Sequence, residues 1–188
     1  LYVPQKMEVL KSDNEAERLP VVDAEGRVVG SATRAECHDG SMLRHPVVHL
    51  HVINSRGELY LQHRPKWKQI QPDRWDTAVG GHVDWGEECH EALQREAREE
   101  LRMGDFEPQH VCTYEFRSEC ECELINVFVC RYDGVIEPSD ELDGGRFWSR
   151  AEIESNFGRG VFTPNFESEA ERISCYFLHF YKFLIIVK

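Results

Sequence analysis

The sequence predicts an α+β fold, an α/β/α sandwich, and three observations carry that expectation. Strand-like segments come in pairs joined by short turns. One long stretch, residues 87–103, switches to helical periodicity. Further helical stretches follow the last strands, so helices are available to cover both faces of a sheet. A length of 188 residues suits one domain with short extensions.

The elements follow in order. Residues 20–31 read as a hairpin, with Val21-Val22 and Val28-Val29 flanking a turn at Asp23-Ala24-Glu25-Gly26. A loop with Asp39-Gly40-Ser41 follows. Residues 46–53 and 58–62 read as a second strand pair around Asn54-Ser55-Arg56-Gly57. Polar, proline-punctuated sequence runs from Arg64 to Asp76, before a short strand at 77–79 and a Gly80-Gly81 break. In the helical stretch Leu93, Ala97 and Leu101 recur at i, i+4 and i+8, a buried stripe. Strands are expected at 110–117, 123–131 and 145–148. A short helix is expected from Arg150 to Phe157 and a final one from about Glu167, after the Pro164-Asn165 turn. The division is therefore a hairpin extension over 1–31, a domain over 32–166 and a C-terminal helix over 167–188 packed on the core.

Composition narrows the function. A net charge of -12 repels phosphate backbones, so no nucleic-acid partner is expected. A phosphorylated small molecule stays open, because a bound metal or a local basic pocket reverses the field at one site. Seven cysteines, an odd number without framework spacing, fit a reducing cytoplasm. Cys120 and Cys122 are expected as buried thiols on one side of a strand. Leu1 to Pro20 lacks an apolar run after basic residues, so no secretory leader is expected. The chain begins at Leu1 rather than methionine, so its natural start is expected to be missing. Tyr176 to Val187 is apolar but short, and His179 and Lys182 interrupt it. It is read as a packed helix and not as a membrane span.

Beside its core stripe the long helix carries Glu96, Glu99 and Glu100 at i, i+3 and i+4, which puts three carboxylates on one narrow face. Their mutual repulsion is relieved by a divalent cation, and Mg²⁺ takes carboxylate oxygens while leaving positions for water and phosphate oxygens.

The segment Gly81-His-Val-Asp-Trp-Gly86-Glu87-Glu-Cys-His-Glu-Ala-Leu-Gln-Arg95-Glu96-Ala97-Arg98-Glu99-Glu100-Leu101-Arg102-Met103 resembles the Nudix box. Gly81, Glu87, Arg95, Glu96, Glu99 and Glu100 fall on its fixed positions. Ala97 is a small version of its aliphatic residue, and Arg102 replaces its glycine. With Gly104 two residues on, the helix is expected to run longer before its cap. The resemblance implies a Nudix fold and a loop–helix–loop holding Mg²⁺ or Mn²⁺. It further implies hydrolysis of a small-molecule diphosphate by water attack on phosphorus. Glu96, Glu99 and Glu100 would bind metal, Arg95 would orient the carboxylates, and Glu87 would brace the loop and help bind metal. Gly81 would line the substrate position.

From His38 to Glu123 the chain also resembles type I isopentenyl-diphosphate isomerase, a subgroup of the same superfamily. That similarity implies a second divalent-metal site of His38, His45, His82, Glu121 and Glu123, with Glu123 also counted as catalytic. It implies diphosphate contacts at Arg34, Arg64 and Lys68. The isomerase needs a cysteine where this chain has Gly80, and it lacks the acidic residues found here at Glu96 and Glu99. Hydrolysis is therefore the expected reaction. Isomerase-like activity and a non-catalytic nucleotide-binding module are the alternatives. Specificity is expected from loops 31–45, 63–76 and 117–121. No membrane partner is expected, and the hairpin and apolar C-terminus suit a homodimer.

Overall fold

Asp23 explains the first turn. Its Oδ1 accepts from the backbone N–H groups of Glu25 and Arg27 at 3.0 and 2.9 Å, and Gly26 takes a left-handed φ of 80°. The turn joins β1 (Arg18–Val22) to β2 (Val28–Thr33) as an antiparallel pair with a bulge between Val21 and Val22. The computed structural model describes residues 14–68 and 70–174. Thr33 then caps the short α1 (Arg34–Cys37) in a capping box with Glu36.

A seven-stranded mixed sheet forms the centre. Its strands are β3 (Arg44–Ile53), β4 (Leu59–His63), β5 (Trp75–Asp76), β6 (Val79–His82), β7 (Gln109–Arg117), β8 (Cys122–Arg131) and β9 (Gly145–Trp148). The order is β5-β4-β3-β8-β7, with β6 paired to β3 and β9 to β4. Among these seven strands only the β3–β8 pairing is parallel.

Alternation along β3 decides what each face does. Val48, Leu50 and Val52 join Ala92, Leu93, Ala97 and Leu101 of α2 (Cys89–Leu101) in one core. Val47 and Ile53 face the other way, into a second core with Ile125, Val127 and Val129. Ile153 of α3 (Arg150–Asn156) joins them there, as do Phe166 and Ile173 of α4 (residues 164–174). Helices thus cover both faces, the α/β/α arrangement expected. A fully buried side chain such as Leu93 contributes about 2–3 kcal/mol. His45, His49 and His51 share the α4 side of β3 with Val47 and Ile53.

Four local expectations are corrected. Arg102 does not extend α2. It takes the left-handed position itself, with φ 51°, and Arg102 N donates to Arg98 O while Met103 N donates to Ala97 O. That is a Schellman cap, and burial of Met103 in the α2 core holds it closed. The strand expected at 77–79 is two strands, β5 and β6, because 75–76 pairs with β4 and 79–82 with β3. The final helix starts at 164, not 167, since Pro164 suits a first helical turn and Thr163 Oγ1 accepts from Phe166 N at 3.2 Å. Cys120 lies half-buried in the turn before β8, and Cys122 alone of the pair is fully buried. The helix expected at Tyr176 to Val187 lies outside the described residues. Among the described residues no helix is long and apolar enough to cross a membrane.

Candidate active site and metal centre

Helical spacing brings the carboxylates of α2 together, and Arg95 organises them. Its Nε and Nη2 donate to the two oxygens of Glu87 at 3.0 and 2.9 Å. Nη1 donates to Glu96 Oε1 at 2.8 Å and reaches Glu99 Oε2 at 3.4 Å. Nη2 also donates to the carbonyl of His82 at 3.0 Å, which ties the helix to the end of β6. Glu87 Oε2 accepts from Asp84 N at 3.0 Å as well. Both Glu87 oxygens are therefore taken by loop and guanidinium donors, a bracing geometry.

Gly81 is required by this packing. A Cβ there would stand 2.2 Å from Glu96 Cδ. Glu100 lies deeper, where its Oε2 accepts from Gln62 Nε2 and from Gly80 N, both at 3.4 Å. Burial pushes the Glu96 carboxyl up to about 7. Burial, with the charge of Glu96 added, pushes Glu100 well above the carboxylate range. Glu99 is exposed.

On the opposite face of the sheet a second cluster assembles. Strand register places His45 directly beside Glu123, β6 supplies His82, and the end of α1 supplies His38. The three ring centroids are 5.1, 5.2 and 5.3 Å apart. One ligand atom from each of His38, His45, His82 and Glu123 falls within 4.8 Å of the others. Glu121 stands one step out, with Oε2 3.3 Å from His38 Nε2. His45 Nδ1 contacts the Leu43 carbonyl at 3.0 Å, so it carries the proton and its Nε2 presents a lone pair. Nε2 of His45 and Nε2 of His82 are buried without a hydrogen-bond partner. Burial lowers the pKa of both rings, that of His82 strongly. Burial, helped by Glu121, raises Glu123 to about 7. Two buried ring nitrogens without partners, converging with a carboxylate, fit a divalent metal of the imidazole-preferring kind.

The basic residues divide. Arg34 Nη1 donates to His82 Nδ1 at 3.0 Å, beside the histidine cluster. Arg64 donates to the carbonyls of Gln71 and Ile70 and to Asp76 Oδ2, so its guanidinium closes the 64–76 loop. Lys68 Nζ sits 4.8 Å from the Trp67 ring centre.

One buried polar cluster lies outside the residues singled out from the sequence. Glu169, on α4, is fully buried and accepts from three side chains. His49 Nδ1 and His51 Nε2 each lie 2.7 Å from one of its oxygens, and Tyr114 Oη donates at 2.6 Å. The only signal was the spacing of His45, His49 and His51 on one strand face. The acceptor lies 120 residues from His49.

The NUDIX domain family model matches residues 42–166. An uncharacterized Nudix hydrolase of Nostoc is 38 % identical over 89 residues, which is 47 % of this chain and 53 % of the Nostoc protein. The match thus spans about half the length of that relative. The isopentenyl-diphosphate Delta-isomerase of Serratia proteamaculans is 28 % identical over 73 % of this chain and 78 % of its own. The crystal structure of DR0079 from Deinococcus radiodurans superposes with a TM-score of 0.70 at 25 % identity, covering 83 % of this chain and 98 % of that one.

Proposed function

This chain belongs to the Nudix family, and from that membership we propose that it hydrolyses a small-molecule diphosphate with Mg²⁺ or Mn²⁺ held by Glu96, Glu99 and Glu100. Hydrolysis of a pyrophosphate bond is the reaction of Nudix hydrolases, and the chain is such a hydrolase. The metal and the substrate are the further steps. The observation that carries them is the single guanidinium of Arg95, which fixes Glu96 and Glu99 of α2 and Glu87 of the preceding loop, while Glu100 is anchored on Gly80 N.

When bound, the cations would neutralise charge on the diphosphate and lower the pKa of the attacking water. Arg95 orients the carboxylates through charge-assisted bonds. Gly81 leaves the space in which Glu96 lies. Gln62 and Gly80 N direct Glu100 Oε2. Arg34 and Lys68 supply positive charge near the substrate phosphates, and Arg64 shapes the loop that carries Lys68.

His38, His45, His82 and Glu123, with Glu121 behind His38, would hold a second divalent metal. Ligation by His82 Nε2 needs the ring proton on Nδ1, so that ring would exchange its Arg34 contact on loading. The His/Glu cluster also suits isopentenyl-diphosphate isomerisation, the second reading. Against it, Gly80 offers no thiol.

Two assays decide. A panel of nucleoside, sugar-nucleotide and isoprenoid diphosphates is incubated with Mg²⁺ or Mn²⁺. Wild-type protein should release phosphate or a phosphomonoester, and Glu100→Gln should lose orders of magnitude in rate while keeping its fold. Equal release by both proteins overturns the hydrolytic reading. Deuterium incorporation into isopentenyl diphosphate would instead establish the isomerase.

A further inference from the structure

We propose that His49, held by Glu169, donates a proton to the leaving oxygen of the diphosphate as the phosphoanhydride bond breaks. The inference rests on the hydrolytic reading above and adds a residue to it.

The two histidines on Glu169 differ in one respect. His51 is fully buried, gives Nε2 to Glu169 at 2.7 Å, and has Nδ1 3.4 Å from Thr77 Oγ1. Both of its nitrogens are used inside the fold, which is a structural role. His49 gives only Nδ1 to Glu169. Its Nε2 has no hydrogen-bond partner among the described residues, and 8 % of the residue stays open. A ring oriented through one nitrogen, with the other bare, is the arrangement that proton transfer needs.

The bare nitrogen lies against Gly80. β3 and β6 pair so that His49 is opposite Gly80. A Cβ on Gly80 would stand 3.4 Å from His49 Cδ2 and 3.5 Å from Nε2, so the ring lies over the Gly80 α-carbon. The N–H of the same glycine donates to Glu100 Oε2. His49 and Glu100 therefore approach one residue, from the α4 side and the α2 side of the sheet. Gly80 has no side chain to screen one from the other, and a diphosphate held at Glu100 would extend past this glycine to reach Nε2.

The surroundings favour the protonated ring. Burial opposes the imidazolium, but the charge and hydrogen bond of Glu169 outweigh it and hold His49 up to about 9. Asp76 on β5 and Glu123 on β8 act in the same direction. On Glu169 itself burial is outweighed by His49 and His51, and the carboxyl stays far below its ordinary range. Tyr114 of β7 donates to it. In the step, water oxygen bonds to phosphorus and the bridging P–O bond breaks. The electron pair of that bond stays on the leaving oxygen, which takes the Nε2 proton. One proton of the water passes to solvent, and neutral His49 is reprotonated from solvent.

The test has two arms. In the first, wild-type protein labelled with ¹⁵N-histidine is titrated with imidodiphosphate and Mg²⁺. The His49 Nε2 resonance should move, and no movement overturns the proposal even if no substrate is ever turned over. In the second, His49→Gln is compared with wild type on the best diphosphate of the panel and on its analogue with sulfur as the bridging atom. Sulfur leaves without a proton. The variant should lose about 100-fold or more on the oxygen substrate and only a few-fold on the sulfur one. Equal losses on both overturn the proposal and mark His49 as structural. Absence of any wild-type hydrolysis defeats the hydrolytic reading instead, and the first arm then decides the contact.

Discussion

His45 on β3 and Glu123 on β8 are direct partners in the parallel pairing of those strands. A ladder that fixes Cα positions thereby fixes the spacing of an imidazole and a carboxylate, and His38 and His82 complete the group. If this cluster holds a metal, Zn²⁺, which imidazole ligands favour, should stabilise the fold. At 100 times its dissociation constant an ion contributes about 2.7 kcal/mol, or roughly 5–10 °C in Tm for a chain of this size. Thermal unfolding with and without metal checks it. Wild type should gain this increment and His45→Ala should not, while Glu100→Gln keeps it. Equal gains in wild type and His45→Ala would place the ion elsewhere.

Arg95 serves Glu87, Glu96, Glu99 and the His82 carbonyl at once. Lysine keeps the charge but not the fork. Arg95→Lys should lose about 2 kcal/mol of stability, the scale of charge-assisted bonds on a half-buried group. It should also weaken Mg²⁺ binding by about 10–100-fold, as misoriented ligands do. Urea unfolding and metal titration read the two effects separately.

Gly81→Ala tests the contact between β6 and α2. The added Cβ would meet Glu96 Cδ at 2.2 Å, so Glu96 must leave its place against Arg95. The expected cost is about 1–3 kcal/mol, typical of overpacking, with activity lost and α2 retained by circular dichroism. Full activity would show that the Glu96 position is not needed.

The reach of the sequence follows from distance along the chain. Glu96, Glu99 and Glu100 are within one helical turn, and helix geometry alone groups them. The strands from 109 to 148 were legible because their own alternation is strong. β5 and β6 were not separable, since each is short and is defined by its partner, β4 or β3. The histidine cluster was reached through resemblance, because His38, His45 and His82 sit on three elements with no local pattern. The His49–Glu169 pair was missed altogether. Its halves lie 120 residues apart, and Glu169, standing between Glu167 and Glu171, reads as one more surface charge until the helix is docked.

Arg102 holds the left-handed cap of α2 that suits glycine. A non-glycine residue there costs about 1–2 kcal/mol. Its exposed ion pair with Glu137, at 3.7 Å, returns little. Arg102→Gly should therefore stabilise the protein by about 0.5–1 kcal/mol, seen as a higher urea midpoint with an unchanged slope. A lower midpoint would mean that the arginine side chain matters more than its backbone strain.

The His49–Glu169 pair should also print itself on stability against pH. Glu169 has a folded pKa below its unfolded value, so its contribution is present at neutral pH and lost only in strong acid. His49 behaves oppositely. Its folded pKa of about 9 lies above the ordinary 6.5, so its stabilisation is complete below pH 6.5 and disappears as pH rises through 9. The size is on the order of 3 kcal/mol. Wild-type unfolding free energy should therefore fall between pH 6.5 and 9 by more than that of His49→Gln, which keeps a donor but cannot titrate and retains only the fall due to Glu96 and Glu123 near pH 7. Urea titrations at pH 6 and pH 9 on both proteins suffice. Parallel declines in the two would mean that His49 is neutral in the folded chain. Its Nε2 would then be an acceptor, and it could not act as the proton donor proposed for it.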